Sequence, residues 1–187
     1  MTDQPPVRDR EAVFRRLWEA NASRVYAYAR RRVDADAASD IVADSFLVAW
    51  RRLEDVPEEA LPWLLGVARR VIANRTRGER RRARLIAKLE QVTDREAALG
   101  GSDLEGATDL GAALQRLKPA DREVLLLVAW DELDHDQAAA VLGCRPQTFA
   151  VRLHRARRRL ARELADDAEE RIQLARPEIA QGAWRSQ

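Results

Sequence analysis

The chain has 187 residues, 46% apolar and 34% charged with few aromatics, a balance that excludes global disorder and allows one medium domain or two small ones. Its net charge of +2 conceals segregation: residues 66–88 set nine basic groups against Glu79 alone, and residues 145–162 carry seven arginines and no acid. Between them, residues 89–110 hold six acids against Arg95, a layout that predicts two surfaces for a polyanion with a different task in between.

Apolar residues recur at helical spacing along most of the chain, so the expected fold is all-α: two small helical modules joined by a flexible acidic linker, the second a helix-turn-helix. A first helix is expected over about Asp9–Val33, with Val13, Phe14, Leu17, Trp18, Val25 and Tyr28 inward. A second covers about Ala37–Leu53, where Val42, Phe46, Trp50 and Leu53 form one stripe and Asp40 and Asp44 lie on the other face. Residues 54–62, "EDVPEEALP", read as an acidic, proline-punctuated loop. The third helix then begins with "WLLGVARRVIANRTRGERRRARL": Trp63, Leu64, Val67, Val71 and Ile72 anchor it, and its arginine-rich continuation projects past the core. Module boundaries follow as 9–90, an acidic glycine-bearing linker over 91–111, a second module over 112–165 and a tail over 166–187.

In the second module, Pro119–Leu133 reads as a helix with Val124, Leu125 and Val128 buried. The next stretch, "DHDQAAAVLGCRPQTFAVRLHRARRRLAR", pairs Asp134 with Gln137 at capping-box spacing. Ala138, Ala139 and Leu142 face inward, Gly143 supplies a left-handed C-cap, and Pro146 suits the first turn of the following helix. Phe149 and Leu153 pack inward there, leaving Gln147, Thr148, Arg152 and Arg155 near an exposed N-terminal half. A helix-turn-helix delivers such residues to base edges in the major groove. The later arginines, Arg157, Arg158, Arg159 and Arg162, suit phosphates.

Together, "SDIVADSFLVAWRRL", "PWLLGVARRVIANRTR", "ALQRLKPADREVLLL" and "VRLHRARRRLARE" resemble bacterial RNA polymerase sigma factors of the extracytoplasmic-function group, in the right order over about residues 10–165. The resemblance implies that residues 9–90 are the second sigma domain, binding the polymerase clamp helices through Asp40, Ile41, Asp44, Phe46 and Trp50. It implies contact with the minus-ten element through Arg69, Arg70, Asn74, Arg75 and Arg77, and capture of a flipped base by the loop Val56–Pro62. Residues 112–165 correspond to the fourth sigma domain, which binds the polymerase flap and reads the minus-thirty-five element through Arg145, Gln147, Thr148, Arg152 and Arg155. Ser39, Ala43, Ala150 and Val151 depart from the residues the family usually has. Core RNA polymerase and promoter DNA are the implied partners, with an anti-sigma factor as a further one.

Other chemistry has no support in the residues. His135, His154 and Cys144 lie apart in the pattern, so neither a metal site nor a cofactor is expected, and no phosphate loop or nucleophile motif appears. The single cysteine suits a reducing compartment. The N-terminus lacks a signal-peptide plan, and apolar runs fall far below the ~20 residues a membrane helix needs, so a soluble cytoplasmic, non-enzymatic protein is expected. Two rival readings are a free-standing helix-turn-helix regulator that works without polymerase, and an interaction protein whose arginine faces bind RNA or acidic partners.

Overall fold

The structure, a computed structural model, describes residues 7–90 and 109–175, and seven α-helices account for most of them. The linker expected over 91–111 therefore falls outside the described residues except for its last three, which open a helix. The tail from 176 onward also lies outside them.

Helices α1 (Val7–Arg30), α2 (Ala35–Arg51) and α3 (Ala60–Glu90) build the first module. Asp34 separates α1 from α2; its carboxylate accepts the Ala37 N–H at 2.8 Å, satisfying one free donor of the new helix. The buried side of α2 carries Ala38, Ile41, Val42, Ser45, Phe46 and Ala49, and the Ser45 hydroxyl donates back to the Ile41 carbonyl so that no polar atom is left unpaired there. Phe46 meets Phe14 edge-on at 6.1 Å and Trp18 at 4.5 Å, and Phe14 meets Trp50 at 5.2 Å. Val13 and Trp18, expected inward, remain 43% and 41% exposed. Trp18 covers Phe46 with one side of its ring and leaves the other to solvent.

A short 3-10 turn, Leu53–Asp55, leads into a loop of only residues 56–59. Helix α3 therefore starts at Ala60, earlier than Trp63, where the proline-punctuated reading of the sequence placed it. Pro62 sits within its first turn, where a missing N–H breaks no helical bond. Leu64, Leu65, Val67 and Ala68 are buried, and from Arg69 onward the arginines stand in solvent.

The second module comprises α4 (Asp109–Arg116), α5 (Pro119–Ala129), α6 (His135–Leu142) and α7 (Pro146–Ala175). The Arg122 guanidinium donates to the carbonyls of Leu114 at 2.8 Å and Leu117 at 3.4 Å, closing the end of α4. Helix α5 stops at Ala129 rather than Leu133, because Asp131 turns its carboxylate inward and Glu132 takes a left-handed φ of 56°. Both features expected of the turn are present: the Asp134–Gln137 capping box, with bonds of 2.8 and 3.2 Å, and Gly143 at φ 65°. Phe149, Leu153 and Ala156 bury one side of α7 against α5 and α6.

The two modules share one apolar cluster running from Val25 to Ala156. Helix α3 lies on α6 with Gly66 beside Val141: a Cβ at Gly66 would stand 3.8 Å from the Val141 backbone, an ordinary contact distance.

Candidate nucleic-acid interface

The residues expected to meet a polymerase divide in two. Asp40 and Asp44 are exposed on α2, with Leu47, 46% exposed, on the same face. Ile41 and Phe46 are fully buried and hold the helix in place instead of reaching a partner. Trp50 is half-buried beneath Arg10, whose guanidinium lies 5.5 Å from its ring and donates to its carbonyl at 3.2 Å. Leu47 escaped the sequence reading because it falls off the apolar stripe of its helix; an apolar residue on a polar face was the signal.

All five basic and polar residues expected to follow the minus-ten element are exposed on α3. Arg69 and Arg70 lie at the edge of the core, and Asn74 accepts from Arg77 at 2.6 Å. Arg75 behaves differently. It bridges Asp40 at 3.0 Å and Glu79 at 3.2 Å, and its pKa is raised, above all by the hydrogen bond to Asp40. The acidic face of α2 and the basic face of α3 thus touch, through a solvent-exposed pair of the kind that contributes little to stability.

Arg145, Gln147, Thr148, Arg152 and Arg155 are all exposed at the start of α7, opposite the buried Phe149, Leu153 and Ala156. The capping box and Gly143 set the angle at which this side of the helix is presented. Val151 is 51% exposed among them. Further along, Arg159 is not free for phosphate; it donates to the nearly buried Asp121 and ties α7 to α5.

Between the modules runs a cleft of about 900 Å³, with Arg69, Arg70 and Arg77 on the α3 side and Arg152 on the α7 side. At its edge lies a cluster that no sequence pattern announced. Arg32 donates to Glu123 at 2.8 Å and to Asp131 at 3.2 Å, and Arg31 donates to Asp131 as well. The Tyr28 hydroxyl donates to Glu123 at 2.8 Å, Arg24 to the Asp131 carbonyl at 2.7 Å, and the Arg32 guanidinium stacks 3.5 Å from the Tyr28 ring. Asp131 is 2% exposed and Arg32 9%. Burial opposes the charge on Arg32, yet Tyr28, Glu123 and Asp131 together raise its pKa. Burial, opposed by Arg32 and reinforced by Glu123, pushes the Tyr28 hydroxyl well above its ordinary value. One donor is left over: the buried Arg31 Nε has no hydrogen-bond partner, a cost of about 1–3 kcal/mol. The pairs join residues about a hundred positions apart, which is why helical periodicity carried no trace of them.

Among the described residues, no three histidine, cysteine or acidic side chains converge as a metal site, and no helix is long and apolar enough to cross a membrane.

Comparison with known proteins agrees with this architecture. Residues 17–82 match sigma-70 region 2, and residues 107–160 match sigma-70, region 4. The RNA polymerase sigma factor NccH of Alcaligenes xylosoxydans xylosoxydans is 31% identical over 153 residues, 75% of this chain and 77% of that protein. The ECF RNA polymerase sigma factor SigL of Mycobacterium tuberculosis is 32% identical over 162 residues, 80% of this chain and 87% of that one. Among solved structures, CnrH in complex with the cytosolic domain of CnrY is 27% identical with a TM-score of 0.56, covering 82% of this chain and 88% of that one. The sigma factor RpoE in complex with the anti-sigma factor NepR from Bartonella quintana is 25% identical with a TM-score of 0.52, covering 84% and 95%. Both sigma regions in order, together with relatives above 30% identity along most of their length, mean that the chain belongs to the extracytoplasmic-function family of RNA polymerase sigma factors.

Proposed function

We propose that this chain is a promoter-specificity subunit that binds core RNA polymerase, recognises minus-ten and minus-thirty-five elements and helps open promoter DNA, working in the cytoplasm without chemistry of its own. The supporting observation is the pairing of two exposed arginine faces, each on a helix whose other side is buried in its own module, in the order of the two sigma regions. Asp40, Asp44 and Leu47 form the surface for the polymerase clamp, with Ile41, Phe46 and Trp50 fixing that helix from beneath. Arg69, Arg70, Asn74 and Arg77 follow the minus-ten strand, and Arg75 joins them when it leaves Asp40. The loop of residues 56–59 and the first turn of α3 receive the flipped base, an event whose cost stacking repays by about 1–3 kcal/mol per base. Gln147, Thr148, Arg152 and Arg155, with Arg145 before them, read the minus-thirty-five element in the major groove. Val151 is placed to touch a thymine methyl. Because two similar proteins are solved with protein partners, one of them an anti-sigma factor, an anti-sigma partner belongs to this reading.

The test is co-elution of the purified chain with core RNA polymerase, beside an Asp40→Arg/Asp44→Arg variant. The native chain co-elutes and the variant does not, whereas Arg75→Ala still does. Failure of the native chain to bind core, with strong salt-dependent DNA binding by the chain alone, would establish a free-standing helix-turn-helix regulator instead.

A further inference from the structure

Residues 66–88 carry a single acid, Glu79, and Arg75 holds both that acid and a second one from the neighbouring helix. Its Nε donates to Glu79 at 3.2 Å, one turn along α3, and a terminal nitrogen donates to Asp40 of α2 at 3.0 Å. Among the described residues, Arg69, Arg70 and Arg77 on α3 form no ion pair, and neither does Asp44 on α2. Helices α2 and α3 pack together, with Ile41, Leu64 and Ala68 buried in the shared apolar cluster. Asp40 and Arg75 stand where this packing meets solvent, 67% and 40% exposed. Arg75, Asp40 and Glu79 together carry one net negative charge on a face that is otherwise basic. A phosphate arriving there meets two carboxylates around Arg75 instead of a free cation.

We infer that Asp40 and Arg75 couple the polymerase-binding surface to the DNA-binding one: in the free factor each occupies the other, and a polymerase group that takes Asp40 releases Arg75 to promoter phosphates. This rests on the reading above, which sets Asp40 against the clamp and Arg75 beside the minus-ten strand. A carboxylate only accepts, so the group that displaces Arg75 from Asp40 is a donor, best matched by an arginine or lysine. Arg75 then keeps only Glu79, its neighbour one turn on, through an exposed pair that is weak enough to yield to a phosphate. The coupling is reciprocal: whatever core binding adds to DNA affinity through this pair, DNA adds to core affinity. Because the pair is exposed, the effect is about threefold at low salt and weakens as salt rises. Asp44 supplies the same charge one turn along α2 without holding an arginine, so it serves the clamp without this coupling.

The experiment compares the full chain as native, Arg75→Ala, Asp40→Asn, Asp40→Asn/Arg75→Ala and Asp44→Asn. All three positions are exposed, and circular dichroism checks that helix content is kept. Titration with core RNA polymerase at about 50 mM salt gives the affinity for core. A fluorescein-labelled duplex of mixed sequence, about 40 base pairs long, is titrated between about 50 and 200 mM salt to give the salt slope of DNA binding. Arg75→Ala binds core about threefold more tightly than native, because Asp40 no longer has to be taken from a partner. For the chain without polymerase, Asp40→Asn steepens the salt slope by about one phosphate contact, and the double variant loses that gain. Asp44→Asn gives the baseline for removing one acid without freeing an arginine. With core bound, Arg75→Ala lowers the slope by about one. The coupling alone is overturned if native binds core but Arg75→Ala binds it no tighter. It is overturned equally if Asp44→Asn matches the gain of Asp40→Asn, or if that gain survives in the double variant. Failure of the native chain to bind core overturns the polymerase reading, and the coupling with it.

Discussion

Asp134→Ala isolates the device that sets the recognition helix. Helix α6 has eight residues, so an unpaired N–H at its start is a large fraction of its bonding. The substitution removes the 2.8 Å bond from the Gln137 N–H to the Asp134 carboxylate, while the 3.2 Å bond from the Asp134 N–H to the Gln137 side chain survives. Loss of a side-chain cap costs about 1 kcal/mol. Loss of a negative charge at the positive end of a helix adds about 0.5 kcal/mol, for a total of about 1.5 kcal/mol. Asp134→Asn keeps the acceptor and loses only the charge, so it costs about 0.5 kcal/mol. Urea unfolding measures both, read as a shift in midpoint at constant slope. The corresponding melting shifts are about 3–6 °C for the alanine variant and 1–2 °C for asparagine in a chain of this size. Equal losses for alanine and asparagine would refute the hydrogen-bonding account, and a loss below about 0.3 kcal/mol would refute the view that this cap holds α6.

Gly66→Ala stabilises the protein by about 0.5–1 kcal/mol, since Gly66 is inside α3 and the added methyl meets Val141 at ordinary contact distance; a destabilised variant in thermal unfolding would show that α3 and α6 pack more closely than this. Tyr28 has a folded pKa raised above its unfolded value near 10, so its contribution is complete below pH 10 and is lost as the pH climbs through the folded value. Unfolding measured from pH 9 to 11 therefore falls more steeply for the native chain than for Tyr28→Phe, and parallel curves would contradict it. Arg152→Ala weakens DNA binding by the polymerase-bound factor; titration against salt tells a phosphate contact, which lowers the slope by about one without changing sequence preference, from a base contact, which relaxes preference at one position of the minus-thirty-five element.

The helices, the capping box, the left-handed Gly143 and the two arginine faces were all legible in the sequence, because each depends on residues within one or two turns of one another. Spacing placed Phe149 and Leu153 inside and Thr148 and Arg152 outside, and folding kept that division. Helix boundaries were less legible: Pro62 reads as a loop residue although a first turn accepts it, and Asp131 ends α5 by a contact with another module. Within the candidate site, the sequence by itself determined which side chains are charged and which helix carries them. Tertiary structure alone decided that Ile41 and Phe46 are interior, that Arg75 is held by Asp40, and that Arg159 belongs to Asp121. It alone brought Arg31 and Arg32 against Glu123 and Asp131 and placed Arg152 along one cleft with Arg69, Arg70 and Arg77. The physical reason is range. A helical pattern records what a residue meets three or four positions away, whereas an ion pair spanning about a hundred positions exists only once two separately patterned surfaces have been packed together.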